Sequence, residues 1–200
     1  MNVKEKYNSI APYFDYVSGF MERRVINHAV DLLDLQKKDV FLDLACGTGK
    51  VLYHAAKKTK HLHGCDFSQN MIKVAKKRAS AAQYTICNIT KKLPYQNHQF
   101  DKINFSVTLG MIPEDKYKSL FREIRRVLKP KGKLVITEYT NRKKSIFTKL
   151  LHWEHLFVPV FQDCKPLNVR QITEENGFKV IKDKIKTVWG FPFEIVLVEK

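Results

Sequence analysis

Residues 41 to 50 read FLDLACGTGK, and this stretch decides the fold of the chain. The apolar run at 41–44 ends in a turn of small residues, and apolar residues resume at helical spacing from Val51. This order predicts a strand, a tight turn and a helix. Small side chains let a ligand approach the backbone at such a turn, where the helix start offers unpaired N–H groups. The carboxylate of Asp43, at the end of the strand, favours a positively charged ligand over a phosphate.

The turn does not match the G-x-G-x-x-G pattern of dinucleotide-binding folds. When Ala45 and Gly47 take the first two positions, the third falls on Lys50, and when Gly47 and Gly49 take them, it falls on Leu52. The stretch instead resembles the cofactor motif of class I S-adenosylmethionine-dependent methyltransferases, an acidic residue followed by small-x-Gly-x-Gly. The motif alone leaves open the alternative of an ordinary turn between strand and helix.

The composition indicates a basic globular chain. Its 200 residues suit one domain, and the hydrophobic fraction of 44% with a mean hydropathy of -0.34 predicts a soluble protein. No apolar run approaches the ~20 residues of a membrane span, and residues 1–10 lack the apolar core of a signal peptide, so the expected location is the cytoplasm. The net charge of +16 favours acidic partners, although lysines spread along the whole chain equally fit a solvated surface. The four cysteines show no C-x-x-C spacing, which favours reduced thiols over disulfides or zinc ligands.

Strand and helix signals alternate along most of the chain. Residues 1–38 predict an N-terminal helical cap, and residues 141–166 predict a lid or substrate-recognition insertion with an apolar helix from Ser145 to about Phe157. The other predicted helices are 68–79, 114–128 and 169–176, and the predicted strands after the first are 61–65, 84–87, 100–105, 133–139, 178–184 and 194–199. The two closing strands have no helix between them and must be antiparallel. The prediction is a single α/β domain, residues 1–200, with a seven-stranded mostly parallel sheet, helices on both faces and an antiparallel last strand, as in the methyltransferases that the chain resembles.

A second acidic residue, Asp66, ends the next predicted strand, about 20 residues after Asp43. A carboxylate at this spacing can accept hydrogen bonds from both ribose hydroxyls of a nucleoside. The resemblance implies S-adenosyl-L-methionine as the cofactor, with its amino group held by Asp43. Residues 87–95, CNITKKLPY, are similar to the family segment that contacts the adenine amino group. The cofactor-binding residues implied by the resemblance are Asp43, Ala45, Cys46, Gly47, Gly49, Asp66, Phe67, Met71, Asn88, Ile89 and Ser106.

Three further segments carry the resemblance. Residues 100–112, FDKINFSVTLGMI, resemble the strand and loop beneath the methionine part of the cofactor, and residues 123–139, EIRRVLKPKGKLVITEY, match the helix, turn and strand that follow. Residues 7–17, YNSIAPYFDYV, resemble the start of the ubiquinone/menaquinone-biosynthesis methyltransferases and of bacterial phosphatidylethanolamine methyltransferases, where this segment folds over the cofactor. Phe14 stands where that family has a tyrosine, and Tyr13 lies beside it.

The predicted acceptor is a small molecule or lipid, with a quinone precursor or a phospholipid head group favoured. A basic cluster at 142–144 precedes an aromatic-rich amphipathic segment, which fits either a lid over the site or a peripheral contact with an anionic membrane surface. The predicted substrate-side residues are Tyr13, Phe14, Thr108, Met111, Tyr139 and Trp153. The alternatives are RNA or protein methylation, which the charge suggests but no N-P-P-Y-type motif supports, and a cofactor-binding regulator without catalysis. Nucleic acid is not the favoured partner, and the sequence predicts no oligomeric state.

No catalytic residue is assigned, because a sulfonium already activates the methyl group and the enzyme must mainly align the reactants in a dry pocket. An oxygen or carbon nucleophile would gain from a general base. The candidates near the expected mouth are His28, Glu138, Tyr139, His152 and His155, and a structural role is favoured for each. No metal site is predicted.

Overall fold

One seven-stranded sheet forms the centre of the protein, whose computed structural model describes residues 3–17, 19–143 and 165–200. The strand order is β3-β2-β1-β4-β5-β7-β6. Neighbours from β3 to β5 are parallel, and β7 runs antiparallel to both β5 and β6. This confirms the predicted sheet and its reversed last strand. The strands are β1 (Phe41–Leu44), β2 (Leu62–Asp66), β3 (Gln83–Ile86), β4 (Phe100–Ser106), β5 (Leu128–Tyr139), β6 (Lys179–Val188) and β7 (Phe191–Glu199).

Helices cover both faces of this sheet, because alternate residues of each strand point to opposite sides. In β5, Val135 packs with the helices of the first face, whereas Leu134 and Ile136 pack with those of the second. The first face carries α3 (Gly19–Leu32), α4 (Lys50–Ala55) and α5 (Gln69–Arg78), and the second carries α6 (Tyr117–Val127) and α7 (Val169–Glu175). Two shorter helices, α1 (Val3–Ile10) and α2 (Phe14–Val17), precede α3. Two 3-10 turns, Leu109–Met111 and Glu114–Lys116, lie between β4 and α6.

The largest differences from the predicted boundaries lie at the start of β5 and in the hairpin of β6 and β7. Helix α6 ends at Val127 and β5 begins at Leu128, where a turn at 129–132 was expected, because Leu128 already pairs with Phe100 and the ladder then skips residues before it resumes at Lys133. Strands β6 and β7 extend to a two-residue turn at 189–190. The alternating lysines at the end of β6 have the polarity of a loop, so the sequence pattern underestimated this hairpin.

The segment predicted as a lid or insertion begins and ends at one point of the sheet. Thr140 and Leu167 form an isolated bridge, and Leu167 N donates to Tyr139 O at 2.8 Å. The predicted helix from Ser145 to Phe157 lies outside the described residues. In the part of the chain that the structure describes, no helix has the length and hydropathy to cross a bilayer.

Candidate functional site

A cavity of about 850 Å³, open mouth included, lies at the carboxyl ends of β1, β2 and β4. This is the edge of an open α/β sheet where ligands bind, since the loops after the strands diverge there. The turn after β1 forms its floor. Ala45 (φ 59°) and Gly47 (φ 49°) both adopt the left-handed conformation in that turn. A Cβ on Gly47 would meet no atom within 4 Å, so the backbone here faces open space that a ligand can enter.

Gly49 has a different role from Gly47. Its φ is 78°, and a Cβ there would lie 2.9 Å from the Cβ of Ala75 in α5. The residue lies outside the cavity lining. Gly49 therefore lets α4 begin in close contact with α5, and it supports the turn rather than touching a ligand.

The side chain of Asp43 lies in the cavity wall and is 2% exposed. Its Oδ1 accepts a hydrogen bond from Asn104 Nδ2 at 2.8 Å, and Ser106 Oγ donates to Asn104 Oδ1 at 3.0 Å. Its Oδ2 has no partner among the described residues. Burial raises the pKa of Asp43 to about 8, and the charge of Asp66 adds to this rise, although the hydrogen bond from Asn104 opposes it. A buried carboxylate with an unsatisfied oxygen is costly unless a cation compensates it, so the site fits an ammonium group.

Asp66 is held by backbone donors on both oxygens. Oδ2 accepts from Gly47 N and Oδ1 from Ser68 N, each at 2.9 Å. Burial raises the pKa of Asp66, and these hydrogen bonds counteract the rise. A carboxylate has more lone pairs than these two bonds use, so it can also accept from two hydroxyls. With Phe67 and Met71 beside it in the lining, this half of the cavity fits a ribose and a flat base.

Aromatic side chains from α1 and α2 close the cavity on its outer side. The ring of Tyr7 lies 6.0 Å from that of Phe14 and 6.0 Å from that of Phe67, between centroids. The Tyr7 hydroxyl donates to Met111 Sδ at 3.0 Å. The wall is therefore apolar and aromatic, which excludes water and favours a flat apolar molecule.

A polar cluster fixes this N-terminal cap to the turn after β1. Asp15 accepts from Thr48 Oγ1 at 2.8 Å, lies 2.9 Å from Lys50 Nζ and pairs with the Arg78 guanidinium. Burial raises the pKa of Asp15, but the hydrogen bonds from Lys50, Arg78 and Thr48 outweigh it and leave the pKa below its ordinary value. At the other end of the cap, Ser68 Oγ donates to Asn8 Oδ1 at 2.6 Å.

The structure brings most of the predicted site residues to this cavity. The lining includes Asp43, Ala45, Cys46, Gly47, Asp66, Phe67, Met71 and Ser106 from the predicted cofactor set, and Phe14, Thr108 and Met111 from the predicted substrate set. Cys46 is a free thiol, as are the buried Cys65 and Cys87. Lys50 and Asn104 also line the cavity and were not predicted, although an Asn between two apolar residues, Ile103 and Phe105, was a signal that could have been used.

Other predicted residues lie elsewhere. Asn88 Oδ1 accepts from the backbone N–H and the hydroxyl of Thr90, so its own turn satisfies it, and Ile89 is buried in the core of the second sheet face. Tyr13 is 68% exposed outside the lining. Tyr139 is buried, and its ring centroid lies 4.5 Å from that of Phe193. Trp153 lies outside the described residues.

The base candidates that the structure describes, His28, Glu138 and Tyr139, are not in the lining. His28 lies on α3 near the lysines of β6, where burial and then the charges of three lysines lower its pKa. Glu138 is fully buried beneath the loop that carries Thr108 and Met111, and it accepts from Gly110 N at 3.2 Å. Burial raises the pKa of Glu138 to about 7, against the hydrogen bonds from the backbone. His152 and His155 lie outside the described residues.

Comparisons with known proteins agree with this geometry. Residues 41–132 match the family model described as a methyltransferase domain. The chain is 26% identical to a demethylmenaquinone methyltransferase of Staphylococcus epidermidis, over 80% of this chain and 67% of that protein. It is 28% identical to a ubiquinone/menaquinone biosynthesis C-methyltransferase of Geotalea daltonii, over 78% of this chain and 71% of that protein. A SAM-dependent methyltransferase structure from Methanosarcina mazei superposes with a TM-score of 0.68 at 20% identity, over 83% and 94% of the two chains, and supports the fold.

Proposed function

We propose that this chain is an S-adenosylmethionine-dependent methyltransferase and that it transfers a methyl group to a ring carbon of a reduced quinone that carries an apolar tail. The observation that carries the proposal is one cavity with two unlike halves. One half has the unsatisfied carboxylate oxygen of Asp43 and the ribose-fitting carboxylate of Asp66, and the other has the aromatic wall of Tyr7 and Phe14. Two relatives named for quinone methylation support the choice of acceptor.

The residues of this chain bind and orient the reactants. When bound, S-adenosylmethionine supplies a methyl group already activated by its sulfonium. Asp43, positioned by Asn104, holds the positively charged end of the cofactor, and Asp66 holds the ribose. The cap covers the site, and its aromatic side chains exclude water, which favours in-line transfer.

A quinone ring becomes nucleophilic at carbon only when it is reduced, because the hydroxyl oxygens then donate electron density to the ring. The new carbon–methyl bond forms as the sulfur–methyl bond breaks, and the ring carbon afterwards loses its proton. The carboxylates of the described lining, Asp43 and Asp66, are assigned to the cofactor, so we expect that proton to leave through an acceptor oxygen.

The base of the insertion lies beside the acceptor half of the cavity. Lys165 N donates to Gly110 O at 3.3 Å, and a Cβ on Gly110 would come within 2.5 Å of Lys165 O. Gly110 precedes Met111 of the lining. The segment 141–166 thus starts and ends where an acceptor would enter, which supports a role in acceptor recognition. An acceptor with a long apolar tail resides in a bilayer, so the proposal includes a peripheral contact with an anionic membrane surface.

The test is methyl transfer from labelled S-adenosylmethionine to three acceptors: a short-chain demethylmenaquinol kept reduced, phosphatidylethanolamine and total RNA. We expect label in the naphthoquinol alone. Asp66→Ala should abolish transfer, and Asp115→Ala, a control at an exposed carboxylate whose nearest cation is Lys116, should leave it unchanged. Label in phosphatidylethanolamine or RNA, with none in the quinol, would refute the proposed acceptor.

A further inference from the structure

The hairpin of β6 and β7 ends in an unusual turn. Trp189 has a φ of 52° and Gly190 a φ of 85°, and Val188 pairs with Phe191 to close the turn. Two successive left-handed residues define the tight hairpin turn that Asn, Asp and Gly favour, because a bulky side chain is disfavoured in that conformation. Trp189 is nevertheless 66% exposed at the tip.

The tip lies on the same edge of the sheet as the cavity. Ser106 of the cavity lining pairs with Thr137 of β5, and Thr137 pairs with Ile195 of β7. From Ile195 the strand continues four residues back to Phe191, so the tip projects ~13 Å beyond the level of Ser106, at about 3.3 Å per residue. The insertion leaves and rejoins the sheet at the same edge, at the bridge between Thr140 and Leu167.

A row of lysines leads to this tip. Lys182, Lys184 and Lys186 alternate along β6 and therefore share one face of the strand. All three lower the pKa of His28, after the larger effect of its burial, which places their charges together beside α3. Among the described residues, none of the three forms an ion pair within 4.0 Å. Lys143 Nζ, which donates to Thr187 Oγ1 at 3.0 Å, adds a fourth cation near the tip.

The acidic groups nearby are already paired. Asp183 on β6 lies 2.6 Å from Arg142 and 3.7 Å from Arg170. Asp31, the acid that faces His28 from α3, lies 3.0 Å from His54 Nε2. The lysine row therefore presents an uncompensated positive field at an edge strand.

We propose that the hairpin tip and the lysine row, Lys182, Lys184 and Lys186 with Trp189, dock the protein on an anionic lipid bilayer. Lysines are attracted to the negative surface potential of such a bilayer, and an indole ring is amphipathic and suits the head-group layer. The docked surface lies at the same edge of the sheet as the cavity, so a docked protein would turn the open side of the cavity toward an acceptor dissolved in the lipid. This inference rests on the proposed function in one respect, because docking helps the reaction only if the acceptor is dissolved in the lipid. The binding to the bilayer itself does not require methyl transfer.

Sedimentation with extruded vesicles tests the surface. The full chain should bind vesicles of phosphatidylglycerol and phosphatidylcholine in equal parts, and bind pure phosphatidylcholine vesicles far more weakly. The variant K182Q/K184Q/K186Q should lose roughly fivefold in partitioning for each lysine, and Trp189→Ala should lose on the order of tenfold. The matched control K38Q/K57Q/K60Q removes the same charge from the loops before β1 and β2, at the opposite edge of the sheet, and should bind as the unaltered chain does.

Tryptophan fluorescence provides a second measurement. The chain has two tryptophans, so W153F leaves Trp189 as the only reporter, and its emission should shift to the blue on anionic vesicles. Equal losses in the control and the lysine variant, unchanged binding in Trp189→Ala and the lysine variant, or an unchanged Trp189 emission of W153F on anionic vesicles would overturn the proposal. Competition by RNA with no preference for anionic vesicles would also overturn it, in favour of a nucleic-acid surface.

The outcome does not depend on methyl transfer. If the quinol is not methylated, vesicle binding still tests the surface. If the surface is wrong, a short-chain quinol in solution is still methylated by the unaltered chain. The docking variants should keep their activity on that soluble acceptor and lose it only when the acceptor is embedded in anionic vesicles.

Discussion

The buried carboxylate of Asp43 makes cofactor affinity depend on pH in a way that can be calculated. With a pKa of about 8 in the free protein, Asp43 is mostly protonated at pH 7. A positively charged group placed against its unsatisfied oxygen favours the ionised form and lowers the pKa by about 1 to 3 units. Binding must therefore release a proton. Linkage then requires the affinity for S-adenosylmethionine to rise with pH.

The expected size follows from these values. For a shift from about 8 to between 5 and 7, affinity increases roughly two- to eightfold between pH 6 and pH 7, and roughly 0.4 to 0.9 proton is released at pH 7. The rise should flatten above pH 8, where Asp43 is ionised before binding. An α-amino group also loses its own proton near that pH, so the range from 6 to 7 is the informative one.

Isothermal titration in buffers with different ionisation enthalpies measures both quantities. Asp43→Asn should bind more weakly and show no rise with pH, whereas Asp66→Asn should bind more weakly but retain the rise. The reasoning fails if the unaltered protein binds equally well at pH 6 and pH 7. It also fails if the Asp43 variant keeps the same pH dependence.

Three further outcomes are expected. Gly49→Ala should lower the free energy of unfolding by about 1 to 3 kcal/mol in urea titrations. The left-handed φ of residue 49 disfavours a side chain, and the new Cβ would lie only 2.9 Å from the Cβ of Ala75. An unchanged free energy of unfolding would contradict the packing role. Asp15→Asn should raise the dissociation rate of S-adenosylmethionine severalfold in stopped-flow experiments, since it removes the charge that holds the cap to Arg78, and an unchanged rate would show that the cap does not control release. Burial raises the pKa of Glu138 from 4.5 to about 7, so the native state binds this proton more tightly than the unfolded chain does. The free energy of unfolding therefore falls as the pH rises from about 5 to 7, by up to about 1.4 kcal/mol per pH unit. Urea titrations at pH 5, 6 and 7 should show a smaller decrease of the free energy of unfolding in Glu138→Gln than in the unaltered protein. The same decrease in both proteins would show that another group causes it.

The sheet and the cofactor half of the cavity could be predicted from the sequence because both depend on local patterns. The run from 41 to 50 specifies a strand, a turn and a helix, and the spacing from Asp43 to Asp66 follows from the length of one βαβ unit. Parallel neighbours then bring the two carboxylates to the same edge without further information. The resemblance to methyltransferases identified the ligand class.

The remaining features depend on contacts between distant segments. Asp15 meets Arg78 only after the cap folds over the turn, and no spacing rule predicts such a pair. The amide oxygen of Asn88 accepts from Thr90 within its own turn, a partner that the sequence pattern does not determine, and the adenine contact of Asn88 stays a prediction. The length of the β6–β7 hairpin was underestimated because lysines on an edge strand look like a loop.

The bridge between Thr140 and Leu167 has a consequence for engineering. The chain leaves the sheet and rejoins it through a single pair of residues, and Glu194 anchors both flanks by accepting from Thr140 Oγ1 and Val169 N. The intervening residues can therefore be transplanted between proteins of this architecture as a cassette, with the scaffold and its nucleoside half left intact. On the proposed role of this segment in acceptor recognition, exchange of the cassette should change which acceptor is methylated.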